Sequence, residues 1–333
     1  MADQFAIPVA IEQSYIGSSV NSIMLFTFLM GVYTTIYIGT LYASLTSRAA
    51  QHRIVLATIT ALYLLTMIQF GLQWYNLNRQ VVQNGDTRDT IFGSLFAAPA
   101  WYLIVGDISS FSMYVLTDGL LIWRAFHLWG RSLRVMAIPL FLLASEIVLV
   151  IAEIVVEGIF VSLGPSKTTA QGLVANRLLP AVLFLSTAIS LSTTILIVFR
   201  FYSIGKQHGD SVRRFRHILD IIVQSSAIYS LTSLIGAIGI VLPGSDNIAN
   251  TWLFSYGLYT EVLNFAITGM APTIMVARFA LATDETAVSA ATHLSGIQFG
   301  AVSTHSDTRV GIYGASGVGS DNSSTPDAEK GTR

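Results

Sequence analysis

Six acidic residues lie inside stretches that are otherwise apolar: Asp107 and Asp118 within Ala100–Trp129, then Glu146, Glu153 and Glu157, and finally Glu261. A carboxylate in hydrocarbon costs several kcal/mol on insertion scales, so each such position is a candidate for function. Three chemistries suit acids that lack basic partners: protonation and interhelical hydrogen bonding, a water-filled vestibule, or a bound cation. A helix advances about 100° and about 1.5 Å per residue, which puts Asp107 and Asp118 within roughly 20° of one face and about 16 Å apart in depth. The same arithmetic places Glu146, Glu153 and Glu157 within about 40° of one face, which therefore cannot point at lipid.

Counting from the ends of the apolar stretches, Asp107 and Glu153 fall at similar depth in the outer half, with Glu261 near the middle. These three form the expected ligand-binding or proton-handling set. Glu157 falls near the outer headgroups and is assigned no role, while Glu146 suits a protonated hydrogen-bond donor between helices. Asp118 lies deeper, closer to the basic inner rim. Arg124 is six residues on and roughly 120° away around the helix, so a partner for Asp118 must come from another helix. Arg53, Arg200 and Arg278 all sit at inner ends, and an ion pair from Asp118 to one of them would hold a resting state. Asp118, Arg124, Arg53, Arg200 and Arg278 thus form the expected switch at the cytoplasmic side.

The elements that must position these residues are membrane spans. The 333 residues are 53% hydrophobic and only 11% charged, and mean hydropathy is +0.62, far from the usual soluble composition. Seven stretches, at about 20–44, 54–75, 100–123, 135–163, 178–201, 218–242 and 251–277, are each long enough to cross about 30 Å of hydrocarbon. The expected fold is all-α, a polytopic bundle of seven transmembrane helices over 20–282. A short extracytoplasmic segment, 1–19, precedes it, and a disordered cytoplasmic tail, 283–333, follows. Orientation rests on Lys and Arg, which cytoplasmic loops concentrate. Eleven of them fall on one side and four on the other, which puts the amino terminus outside and the carboxyl terminus in the cytoplasm. Trp74, Trp101 and Trp252 at outer ends, with Trp123 and Trp129 at the inner end of the third span, read as interfacial belts. Two prolines, Pro180 and Pro272, fall near span ends; packing near a helix end is the preferred reading for Pro180.

Composition also excludes. The chain has no cysteine, hence no disulfide, thiolate metal site or catalytic thiol. Its net charge of −1 argues against nucleic acid as a partner. Lysines occur only at 167, 206 and 330, outside the spans, which removes a retinal Schiff base. No histidine lies at membrane depth, so a buried metal hydrolase has no ligands. Walker-type, GxSxG and HExxH motifs are missing, and no cofactor, metal or catalytic role is expected. The densest basic run, with Lys206, Arg213, Arg214 and Arg216, suits a cytosolic partner or anionic headgroups, or simply the inner side of the topology.

Two segments carry a resemblance. Leu116-Thr117-Asp118-Gly119-Leu120-Leu121-Ile122-Trp123-Arg124 closes the third span, and Ala271-Pro272-Thr273-Ile274-Met275-Val276-Ala277-Arg278 closes the seventh. In both the chain resembles a group of seven-span membrane proteins from mushroom-forming basidiomycete fungi. That group is loosely similar to G-protein-coupled receptors in span number and orientation, and the resemblance implies topology rather than chemistry. The chain lacks the receptors' Asp-Arg-Tyr triplet after the third span and the Asn-Pro pair in the seventh, where Ala271 precedes Pro272.

The leading expectation is a receptor-like protein, in the plasma membrane before an internal one. It would sense a small polar or cationic ligand and signal to a cytosolic protein, with the lipid bilayer as its constant partner. Two alternatives stay open: a proton or cation pathway through the same acids, and a structural membrane protein whose acids are packing groups.

Overall fold

In the computed structural model, residues 8–46, 52–163, 169–205, 212–242 and 250–298 are described, with the side chains of 52, 160–177, 201, 204–223 and 279–298 excepted. Among them every long element is helical: α1 (Val9–Thr46), α2 (His52–Asn78), α3 (Arg88–Leu95), α4 (Ala100–Leu128), α5 (Leu133–Leu163), α6 (Thr169–Gly205), α7 (Val212–Val241) and α8 (Thr251–Gln298). Six are long and apolar enough to cross a membrane, and α3 with α4, bent by 49°, make a seventh if taken as one span. The chain divides into two units, Met1–Ala287 and Val288–Arg333.

The helices hold together by the chemistry that suits lipid, in which every backbone polar group must find a partner inside the protein. Side chains facing outward are large and apolar, as in Ile147, Val148, Ile151 and Val155 of α5. Glu146, Val150 and Glu153 face inward on the same helix, as the four- and seven-residue spacing predicts. α8 is the most enclosed, with 67% of its most apolar window buried, against 22% for α5. Phe26, Met30 and Tyr33 of α1 pack against Val262, Phe265, Ala266 and Met270 of α8.

Close approach leaves no room for a Cβ at several glycines, among them Gly239 and Gly269. A Cβ on Gly239 of α7 would meet the Tyr256 ring at 2.1 Å, and one on Gly269 of α8 would meet Tyr33 at 2.7 Å. Gly239→Ala should therefore cost about 1–3 kcal/mol through overpacking. Gly31→Ala, whose Cβ meets nothing within 4 Å, should be neutral or better. Paired thermal unfolding of the two variants checks this, and equal midpoints would refute it.

Proline explains one interhelical bond. Pro272 lies inside α8 and cannot donate to the carbonyl four residues back, that of Thr268. Thr117 Oγ1 of α4 donates to this freed carbonyl at 3.1 Å. Pro180 also lies within its helix, because α6 begins at Thr169 rather than at 178.

Three elements depart from the sequence expectation. The connection after the second span is ordered: α2 continues as a π-helical turn, Arg79–Gln83, and Thr87 caps α3 through a reciprocal pair of bonds with Thr90. α4 runs to Leu128, past the expected end at 123. α8 runs to Gln298, through the first part of the segment expected to be disordered, where Ala, Leu and Glu favour helix and Pro and Gly are scarce. Residues 299–333 lie outside the described residues.

Between α4 and α5 the chain reverses tightly. Gly130 and Arg131 both take left-handed conformations, at φ 62° and 64°. The Arg131 amide donates to Phe126 O at 2.9 Å, closing the end of α4.

Candidate functional site

The acids fall into two groups at different depths. At the end of the bundle that holds the α3 connection, Asp107 of α4 lies within electrostatic reach of Glu153 and Glu157 of α5 and of Glu261 of α8. Glu153 is buried and Asp107 and Glu157 are half-buried, whereas Glu261 is exposed. Glu261 thus keeps accessible surface on the most enclosed helix. Gln73 Nε2 of α2 donates to Glu261 Oε1 at 3.3 Å, and Tyr102 lies beside Glu261, Asp107 and Arg79. Tyr75 packs edge-on against Trp101, with ring centroids 4.9 Å apart, at the same level.

The expected trio of Asp107, Glu153 and Glu261 is thus brought together. Glu157, to which the sequence reading gave no role, joins it. Its signal was the four-residue step from Glu153, which keeps it on the inward face.

Arg79 anchors the rim. Its guanidinium donates to Ala97 O at 2.6 Å and to Ser94 O at 2.7 Å, both in or just after α3. It is therefore engaged with backbone rather than with the acids. On the α1 side Tyr15 stacks on Phe254 at 4.0 Å and meets Phe92 edge-on at 5.4 Å, and Arg88 pairs with Glu12 at 3.7 Å.

The second group is deep. Asp118 of α4 and Glu146 of α5 are each 0% exposed, and their side chains lie within hydrogen-bonding reach of each other. Ser186 Oγ of α6 donates to Asp118 Oδ2 at 2.5 Å and shares a bond with Tyr229 Oη of α7 at 2.7 Å. Four helices thus meet at one polar point. A bond between two carboxyl groups needs a proton between them, since two carboxylates can only repel.

Apolar layers enclose this pair. On the side of Asp107 and Glu153 stand Phe111, Tyr114, Val150, Val182, Leu183 and Ala237. On the other, Leu121 packs with Tyr229 and Ala271, Leu120 with Val55, Ile59 and Val276, and Ala125 with Met136, Ile197 and Met275.

The expected ion pair from Asp118 to Arg53, Arg200 or Arg278 does not form. Arg53 and Arg278 are exposed. Arg200 lies over the Trp129 ring, 5.3 Å from its centroid, and its Nε donates to Leu128 O at 3.3 Å. The reason is length: with α4 ending at Leu128, Asp118 sits ten residues, about 15 Å, above that end. Arg124 is half-buried on α4. Ser186 and Tyr229 carried no signal in the sequence, because single hydroxyls are common in apolar spans. Lys206 lies outside the described residues, and Arg213, Arg214 and Arg216 fall in the first turns of α7, where side chains are not described. Among the described residues no group of three or more His, Asp or Glu side chains could hold a metal ion.

Fold and site together define an all-α polytopic protein, an integral membrane bundle with carboxylates at two depths. No protein-family model, curated protein or solved structure matches the chain.

Proposed function

We propose that the chain is a receptor-like seven-helix protein of the plasma membrane, with its amino terminus outside, in keeping with the fungal seven-span group that its two motifs resemble. The observation that carries this is the exposed Glu261 on the most enclosed helix, among Asp107, Glu153 and Glu157. Clustered acids in a partly dry cleft focus a negative field that draws in a cation. The ligand is therefore a small organic or inorganic cation, and no chemical step is assigned to the protein. The apolar layers on both sides of Asp118 and Glu146 favour a pocket closed at its base over a continuous path. Occupancy has to favour one helix arrangement over another to signal. The deep point joining α4 to α7 is the natural relay, and Lys206, Arg213, Arg214 and Arg216 would meet the cytosolic partner.

A second reading, a proton or cation pathway, is favoured by one observation: Tyr114 lies within reach of both Glu261 and Glu146 and so stands between the two depths.

The absence of native cysteine makes the test direct. Glu261→Cys, the sole thiol, should react in intact cells with a membrane-impermeant cationic methanethiosulfonate. It should react on the order of ten times faster than with the anionic analogue, the selectivity expected of an acid-lined cleft. Thr193→Cys, one helix turn or more beyond the deep pair, should stay unlabelled from that side. An unreactive Glu261→Cys refutes the vestibule. Labelling of both positions from the same side supports the pathway instead.

A further inference from the structure

We infer that Asp118 and Glu146, with Ser186, form a binding site for a hard monovalent cation, sodium or potassium, buried beneath the vestibule and separate from it. The geometry points there because Asp118 Oδ1 and both Glu146 oxygens are buried and have no protein hydrogen-bond donor apart from a proton shared between the two carboxyls. Both side chains are 0% exposed, and a buried carboxylate without donors needs a bound cation or neutralisation. The ligand atoms are all oxygen: two carboxyls, the Ser186 hydroxyl at 2.5 Å from Asp118 Oδ2, and Tyr229 Oη at 2.7 Å from Ser186. Ser233 Oγ, one turn from Tyr229 on the same face of α7, is a further buried oxygen without a protein partner. Oxygen-only sites select hard cations.

The charge of the cation follows from the donor count. Divalent ions are usually held by several carboxylates or by waters in an open site, whereas here, among the described residues, no third acid joins the two carboxyls. A shared proton leaves one negative charge, which a monovalent ion balances, and without the proton the second charge adds affinity. Among the described residues, the other titratable groups facing the pair are Tyr229 on α7 and Tyr114 on α4, and α6 contributes the Ser186 hydroxyl. Because the ligands come from α4, α5 and α6, with Tyr229 of α7 behind Ser186, an ion here clamps four helices that the vestibule ligand would have to move. The inference does not rest on the vestibule reading, since the two sites share no residue.

The test uses the full chain in lipid nanodiscs at constant ionic strength, with sodium, potassium or choline as the only cation. At roughly 0.15 M salt, sodium or potassium should raise the thermal midpoint by about 3 °C or more over choline, as expected for an ion bound only by the folded state. Asp118→Asn and Glu146→Gln should each abolish that difference, while Glu261→Gln should keep it. Equal midpoints in all three salts overturn the site, as does a shift that survives the double amide variant. Loss of the shift in Glu261→Gln alone moves the ion to the vestibule and overturns the assignment. Where an amide variant does not fold, Ser186→Ala removes one oxygen without touching charge and should at least halve the shift; an unchanged shift in it overturns the proposal.

Discussion

Replacing Asp118 with leucine should lower the midpoint of thermal unfolding by about 3–6 °C. The change removes the acceptor of Ser186 and the neighbour of Glu146 in one step. Losing one partner of a buried hydrogen-bonded charged group costs about 3 kcal/mol, and a chain of this size shifts by about 1–2 °C per kcal/mol. Asp118→Asn should cost far less, about 1 kcal/mol, because the amide still accepts from Ser186 and donates to Glu146. Asp118→Leu combined with Glu146→Leu should recover part of the loss, since the second change removes the carboxyl that the first left unpaired. The two single costs should then exceed the double cost by about 1–3 kcal/mol. Additive losses would show that the two carboxyls do not act as one unit.

Arg79→Ala should speed hydrogen exchange across α3 by on the order of 100-fold. Two short bonds to Ala97 O and Ser94 O, with a weaker one to Asn76 Oδ1 at 3.4 Å, tie the connection to the end of α2. Bonds from a charged donor are worth about 1.5–3 kcal/mol each, and a net loss of about 3 kcal/mol multiplies local opening by about a hundred. The effect should stay local, because α3 is otherwise held by Tyr15, Phe92 and the Glu12–Arg88 pair. Arg79→Lys keeps the charge but lacks the fork that reaches two carbonyls at once, so about tenfold faster exchange is expected. Unchanged protection in Arg79→Ala would mean that aromatic packing alone holds α3.

The spans were legible because hydropathy over about 20 residues is a strong signal, and no soluble fold tolerates seven such stretches. Their inner faces were legible only where acids marked them, as at Glu146 and Glu153, since most spans are apolar around the whole circumference. That Asp107 lies near Glu153 and Glu261 could be drawn from depth alone. The partner of Asp118 could not. Depth counted from an assumed helix end at 123 brought the arginines within reach, and the five further residues of α4 take them away. The π-helical turn and α3 were equally out of view, because they lie in a segment with no apolar period and α3 depends on the Thr87 and Thr90 side chains for its cap. The bond between Thr117 and the Thr268 carbonyl shows a different limit. Both segments stood out as motifs, one ending the third span and one the seventh. What joins them is a carbonyl released by Pro272, a contact that no spacing within either motif encodes.

The hydroxyls of α1 and α2 mostly bond within their own helix: Thr27 to Ile23 O at 2.8 Å, Thr40 to Ile36 O at 2.7 Å, Thr58 to Ile54 O at 2.9 Å and Thr66 to Leu62 O at 2.8 Å. Such helices meet most of their polar needs alone and can leave the translocation machinery for lipid one at a time. α4 cannot. Its two aspartates cost about 5–7 kcal/mol on an insertion scale, and it passes as a span only together with α3. The left-handed pair Gly130–Arg131 folds it straight back onto α5, the most apolar span, with mean hydropathy 2.5. That turn makes the two a helical hairpin, which should enter the bilayer as one piece and bring Glu146 beside Asp118 as it does. Lengthening the turn would be felt in biogenesis, as stalled or inverted chains, before it was felt in the finished protein.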